Sequence, residues 1–367
     1  MLPLAINPAA DTSFALMDGR PVLFSEANQK IYELDRVGAY IWCKLLEQET
    51  IKTIFHGLAE FGIDRSEARL FLRQALRNWL DCALVDVDCE PSADFTLQIR
   101  LARRTISIRA SNDRLLQQVA PIFCNVSRGT GMPDVLTEII ELDDEIFFRI
   151  NKSRSYWCES HSLAPAIKAR LVEWLIVQGQ SDLTLHAASL IGSREGLLVC
   201  GEPGAGKSTL AIHLANAGLR YGGDDLVRIA RDGTAEGIPF APAVKPGSWE
   251  MISRLRNDLD DAVVYSRPDG VRVRYLPVEH VHDGSFPVGW IIFLNRTEGA
   301  AAKLTPLGQI EAMRRVIAGS FAASGELSRS GFVALKRTLA SAKSFELSYS
   351  DAVHARSALL DLCNGQS

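Results

Sequence analysis

No two cysteines of this chain stand in a C-x-x-C pair. The seven thiols (Cys43, Cys82, Cys89, Cys124, Cys158, Cys200 and Cys363) are scattered over 367 residues, a spacing that offers neither a zinc knuckle nor a disulfide framework. Reduced thiols in a cytoplasmic protein are the expectation. No run reaches the roughly eighteen apolar residues needed to span a bilayer. The opening "MLPLAINPAADTSF" lacks the basic flank and apolar core of a signal peptide. A soluble chain with no membrane partner is therefore expected. Neither sign of charge dominates: 40 Lys and Arg face 44 Asp and Glu, a net charge of −4. Nothing in that balance draws the whole molecule to nucleic acid, which is not expected as a partner. Repeats and low-complexity runs are also missing.

What is present falls into three segments, as expected for a chain too long for one small domain. Residues 1–90 open with the strand-like "FALMDG" and "PVLFSE", separated by Asp18-Gly19, a hairpin signal. Helical periodicity follows. Val37, Tyr40, Ile41 and Leu45 recur at three- and four-residue steps, as do the apolar residues of "IKTIFHGLAEFG" and "RSEARLFLRQALRNWLDCALV". Asp64 with Glu67 three residues on makes a capping-box start for the last of these helices. This part carries 9 Lys and Arg against 14 Asp and Glu, the remainder 31 against 30, and the shift places a boundary near "DVDCEPSADF". Residues 94–155 alternate in "FTLQIRLARRTISIRA" and "EIIELDDEIFFRI", which predicts half-exposed strands, with one short helix in "SNDRLLQQVAPIFCNV". The last part begins with the helical "LAPAIKARLVEWLIVQG".

"GEPGAGKS", Gly201 to Ser208, fits G-x-x-x-x-G-K-[ST], between a strand-like "GLLVC" and a helix-like "STLAIHLANAG". In that setting the backbone N–H groups of Gly201, Pro203–Gly206 (proline excepted) and Lys207 to Thr209, together with the helix N-terminus, surround one anion. Lys207 reaches the terminal phosphates and Ser208 can hold Mg²⁺. Glycine is needed at Gly201, Gly204 and Gly206 because a Cβ would block the approach of backbone to phosphate.

A phosphate loop by itself does not separate a motor from a kinase. The later apolar strand "VGWIIFLNR" ends in Asn295-Arg296 rather than in an acid, and no "LSGGQ" follows. The acids are Asp224 and Asp225, soon after the helix that stops at Gly218. Adjacent side chains on a strand point to opposite sides, so one carboxylate can face the metal and the other an acceptor hydroxyl. His186, in "LTLHAASLIG", lies one strand before the phosphate loop.

The order histidine, phosphate loop, Asp-Asp in "HAASLIGSREGLLVCGEPGAGKST" and "GLRYGGDDLV" resembles the HPr kinase/phosphorylase family. The resemblance covers roughly residues 160–367. It implies that Asp224 is the base toward a serine hydroxyl with His186 as its partner, and that Asp225 lies near the metal. The runs "GIPFAPAVKPGSWEMI" and "FELSYSDAVHARSALLDL" are similar to HPr-kinase-like proteins that accompany ribosomally made peptide natural products, lasso-peptide kinases among them. The acidic, arginine-containing loop that HPr kinases carry after their core is not found, so the resemblance does not extend to HPr itself or to phosphorolysis. Residues 1–90 resemble the PqqD-like domains, which bind a leader peptide by adding it as a strand to a sheet edge.

Together these readings imply an α/β P-loop kinase domain of the HPr kinase type at 156–367. They add an N-terminal α+β winged-helix-like PqqD domain at 1–90 and a small β-rich accessory segment at 94–155. The implied activity is Mg-ATP-dependent phosphorylation of a side-chain hydroxyl, serine first, in a ribosomally synthesised precursor peptide. A homo-oligomer stays open, as do two other readings: a nucleotide-dependent adaptor and a small-molecule kinase. Three further cations are candidate phosphate or substrate contacts. Lys245 sits between prolines in a loop. Arg274 shares a strand face with Arg272. Arg296 ends a strand where α/β proteins place ligands.

Overall fold

The computed structural model describes residues 5–88, 91, 93–142, 145–177, 183–321 and 327–365. Cys89, part of the boundary stretch around it, and the last two residues of "LAPAIKARLVEWLIVQG" lie outside the described residues. The chain divides into two compact units: residues 1–98, 106–117 and 132–163 form one, and 99–105, 118–131 and 164–367 the other. These bounds cut across the segments drawn from composition, because most of 94–155 belongs with the N-terminal part.

In the first unit, strands Thr12–Met17, Arg20–Ser25 and Lys30–Glu33 form an antiparallel meander. Asp18 and Gly19 make its first turn with φ of 51° and 76°, the left-handed pair that a two-residue hairpin requires. Helices Arg36–Leu46, Ile51–Glu60 and Arg65–Asp81 follow, N-capped by the side chains of Asp35, Thr50 and Asp64. Their apolar faces close on one core in which Trp42 and Trp79 meet edge to face at 5.2 Å. That core also contains Ile140 and Phe147, from strands Val135–Leu142 and Glu145–Ile150. Polar contacts reinforce the union: Arg73 pairs with Glu145, Arg149 donates to the Val87 carbonyl at 3.0 Å, and Ser155 to Asp86 at 2.7 Å. The β-rich stretch is thus a structural part of the helical module. Its "half-exposed" strands are mostly buried. "FTLQIRLARRTISIRA" is two strands, Thr96–Leu101 and Arg104–Ala110, joined by Ala102 and Arg103 at positive φ. The expected short helix is Asp113–Val119, continued by a 3₁₀ turn.

Two of the sheets in the second unit position the cleft residues. The larger has the order Arg220–Gly223, Ala187–Ile191, Gly196–Cys200, Val288–Arg296, Lys343–Tyr349, Lys303–Leu307. Gly196–Cys200 runs parallel to Val288–Arg296, and Val288–Arg296 to Lys343–Tyr349. Both faces of this sheet are covered, which explains why "GLLVC" reads as unbroken apolar sequence. Leu197 and Val199 face helices Lys207–Asn216 and Ala352–Cys363. Leu198 and Cys200 face helices Gln309–Ala318 and Arg329–Ser341.

The smaller sheet contains Leu183–Leu185 antiparallel to Val227–Ile229. Two long sequences therefore serve both sheets. "LTLHAASLI" runs from the smaller to the larger, and "RYGGDDLVRI" runs back beside it. Leu185 pairs with Val227 and Ser189 with Gly223, so one register is kept on both sides of the gap. His186 and the two aspartates occupy that gap. Gly223, at φ 138°, permits the break, and a Cβ there would lie 2.4 Å from the Ile238 carbonyl.

Candidate functional site

A cleft of about 810 Å³ opens within the second unit, lined by the phosphate loop, His186, both aspartates and Lys168. The loop joins strand Gly196–Cys200 to helix Lys207–Asn216, as its motif requires. Gly204 and Gly206 adopt φ of 91° and 98°, values open to glycine. Pro203, Gly204, Gly206, Lys207, Ser208 and Thr209 reach the cleft wall. Gly201 and Ala205 act from behind it through their carbonyls: Lys207 Nζ donates to Gly201 at 2.7 Å and to Glu202 at 3.2 Å, and Tyr349 Oη donates to Ala205 at 2.6 Å. Lys207 is buried, and desolvation pushes its ammonium pKa down. Its charge is folded onto its own loop. Tyr349 was not singled out in the sequence; its signal lay in the quoted "FELSYSD", whose strand lies two positions from the loop strand in the sheet.

The two aspartates diverge, as neighbours on an extended backbone do. Asp224 turns inward and is 3% exposed; it accepts from Tyr221 Oη at 2.9 Å, and the nearby Ser208 hydroxyl favours its charged form. Burial raises its pKa against the opposing pull of Lys168. Burial, and then Asp224, also keep Tyr221 a phenol, which can donate. Asp225 turns into the cleft. Its Oδ2 lies 2.9 Å from Lys168 Nζ and its Oδ1 3.5 Å from His186 Nδ1. Lys168 is the main cause that holds the Asp225 carboxyl well below the usual carboxylate range. His186 Nδ1 is also 2.9 Å from the Asp225 carbonyl. A carbonyl can only accept, so Nδ1 carries a proton.

This geometry corrects the pairing implied by the resemblance. His186 partners Asp225, not Asp224. The cause is the break at Gly223, which sends the first carboxylate toward the start of the P-loop helix and the second across to the histidine strand. Lys168, on helix Leu163–Val177, carries no signal in the sequence because it reads as an isolated lysine of a largely apolar helix.

Of the other candidate cations, Lys245 and Arg296 line the cleft, both exposed. Lys245 leads into helix Pro246–Ser253, which Ser248 ties to Thr209 at 2.9 Å. The structure does not bring Arg274 into the cleft. Its guanidinium donates to the Leu259 carbonyl at 2.9 Å, pairs with Asp260 and lies 4.6 Å from the Trp249 ring. Arg267, unremarked in the sequence, stands at the cleft instead.

A triphosphate with Mg²⁺ suits this donor set: a glycine-built cradle, one loop lysine and, at the wall, Lys245, Arg267 and Arg296 besides Lys168. Among the described residues no cluster of three or more His, Cys, Asp or Glu could hold a metal by itself. A cation here would share Ser208 and Asp224 with phosphate oxygens, which is how Mg²⁺ is usually held beside nucleotides.

Residues 21–85 match the family described as Coenzyme PQQ synthesis protein D (PqqD). The chain is 28% identical over 123 residues to an HPr kinase/phosphorylase of Lachnoclostridium phytofermentans, covering 34% of this chain and 36% of that one. The match thus spans about a third of that relative's length. Among solved structures, similarity extends to TbiB1 in complex with the TbiA(beta) leader peptide, at 28% identity, 24% of this chain, 99% of that chain and a TM-score of 0.21. It extends also to the Hpr(Ser) kinase/phosphatase from Coxiella burnetii, at 12% identity, 50% and 95% coverage and a TM-score of 0.24. Both resemblances read from the sequence are borne out as similarities: a PqqD-type domain lies at the N-terminus, and a 123-residue stretch of the chain is similar to an HPr kinase/phosphorylase. No helix among the described residues is long and apolar enough to cross a membrane.

Proposed function

We propose that this protein is a Mg-ATP-dependent kinase that phosphorylates a hydroxyl side chain, serine first, of a ribosomally synthesised precursor peptide held by the PqqD-type domain. The observation that carries the reading is the meeting of His186 and Asp225 with the phosphate loop in one cleft. A protein that only binds nucleotide has no need of a histidine–carboxylate pair there.

In this reading the loop amides and Lys207 hold the β- and γ-phosphates, while Lys245 and Arg296 meet charge on the transferring group. Mg²⁺, bound through Ser208 and Asp224, would neutralise phosphate charge. Asp225 accepts the proton of the acceptor hydroxyl as the new O–P bond forms and the bond from Pγ to the β-phosphate oxygen breaks, releasing ADP. His186 orients that carboxylate. These assignments exchange the roles that the family resemblance gave to Asp224 and Asp225.

The leader would lie as an added strand on the exposed edge of the meander, and tethering raises the local acceptor concentration to about the millimolar range. Incubating the full chain with Mg-ATP and a panel of precursor peptides, with mass spectrometry of the products, tests the proposal. A gain of ~80 Da on a hydroxyl residue is expected. Release of phosphate with every peptide unmodified would favour the adaptor, and transfer to free small hydroxyl compounds alone would favour the small-molecule kinase.

A further inference from the structure

The proposed mechanism leaves the ion pair between Lys168 and Asp225 in the cleft unused. We infer that Lys168 is a positioning residue, which fixes the Asp225 carboxylate for proton acceptance and acts through Asp225 rather than by touching the nucleotide; the inference rests on the kinase reading above.

Lys168 departs from the pattern of its own helix. Leu163, Ala164, Ile167 and Leu171 around it are fully buried and apolar, and a leucine at 168 would extend that face. An ammonium stands there instead, with its side chain 8% exposed. The rings of Phe240 and Tyr275 lie 5.4 and 5.8 Å from Nζ, which confines the side chain from its sides. Its charge is directed at Asp225, at 2.9 Å.

The contact divides the carboxylate. Oδ2 is engaged by Lys168, and Oδ1 is left on the His186 side. Rotation about the terminal bond of an aspartate is broad and roughly two-fold, so an unheld carboxylate samples many orientations. A base works only within hydrogen-bond reach of its proton, and small displacements are costly. Lys168, from helix Leu163–Val177, and His186, from the link between strands Leu183–Leu185 and Ala187–Ile191, remove that freedom. Other cations already serve the phosphates, so a further charge is not required for nucleotide binding.

The test compares Lys168→Met and Lys168→Arg in the full chain, with Asp225→Asn alone and combined with Lys168→Met. We expect Lys168→Met to lower kcat about thirty- to a hundredfold, the scale of a mispositioned base, while KM for Mg-ATP stays within about twofold. Lys168→Arg should retain at least about a tenth of wild-type kcat, since a cation still reaches the carboxylate. The double variant should be no slower than Asp225→Asn, because a positioning residue has nothing left to position. Multiplied losses in the double variant, or a raised KM at unchanged kcat, would overturn the inference. A second measurement needs no turnover: the ¹⁵N shifts of the His186 ring in Lys168→Met. They should move while Mg-ATP affinity does not, and unmoved shifts would also overturn it. If the wild-type protein transfers no phosphate to any acceptor, the kinase reading fails, and the His186 shifts still decide whether Lys168 orders the pair.

Discussion

Replacing Gly206 by alanine should injure nucleotide binding by two separable routes. The residue sits at φ +98°, where an L side chain is strained by about 1–2 kcal/mol. Its Cβ would also lie 2.6 Å from Tyr349 Oη, too close for either atom. The cheapest relief is displacement of the tyrosine hydroxyl, which forfeits its 2.6 Å bond to the Ala205 carbonyl, worth about 1 kcal/mol. Together these amount to about 2–3 kcal/mol, or roughly a thirty- to hundredfold loss if the loop relaxes away from its cradle shape and the nucleotide must restore it. Calorimetric titration with Mg-ATP reads the effect directly. Tyr349→Phe alone should cost two- to tenfold, on the order of one lost hydrogen bond. In the Gly206→Ala background, however, the same Phe should improve binding, since the ring carbon then nearest the new Cβ is 3.9 Å away. That reversal of sign is the diagnostic. Additive losses in the double variant, or wild-type affinity for Gly206→Ala, would refute the reasoning.

Lys207→Ala should abolish phosphate transfer and lower Mg-ATP affinity at least about a hundredfold, measured by product formation and titration, because the cation facing the terminal phosphates is gone. Asp225→Asn should bind Mg-ATP normally yet lose transfer by about a hundredfold, whereas Asp224→Asn should also lose the Mg²⁺ dependence of nucleotide binding; the opposite result in paired titrations and rate assays would restore the family's assignment. Phe147→Ala, in the β-rich stretch, should destabilise the helical module by about 3–5 kcal/mol in denaturant melts, since the ring is 1% exposed within its core. A negligible change would mean that the stretch is dispensable to that core.

Legibility in the sequence followed the locality of the physics. The strand, glycine-rich turn and helix around Gly201–Ser208 were readable because strand, glycines, lysine and helix are contiguous. The three helices and the Asp18-Gly19 turn were readable from short-range periodicity and turn chemistry. The orientation of the aspartates was not, because it depends on a glycine backbone angle and on Tyr221 beneath it. Lys168 is fifty-seven residues from the aspartate it grips, and no spacing rule links an isolated helical lysine to a distant carboxylate. Arg274 failed in the opposite way: alternation gave its strand face but not Trp249 and Asp260, which fill that face. The division of the chain misled for a similar reason, since a change in charge balance marks surface composition, whereas Ile140 and Phe147 join the helical core through contacts that composition does not register.

A site strung between two sheets is lost as a unit. His186 and the aspartates are short links whose neighbours on one side are pinned at Leu185 and Val227 and on the other at Ser189 and Gly223. Peeling either sheet slackens both links together, so the proton-handling pair has no partly assembled form between intact and gone. Thermal wear would therefore dismantle the His186–Asp225 pair in one step rather than by degrees.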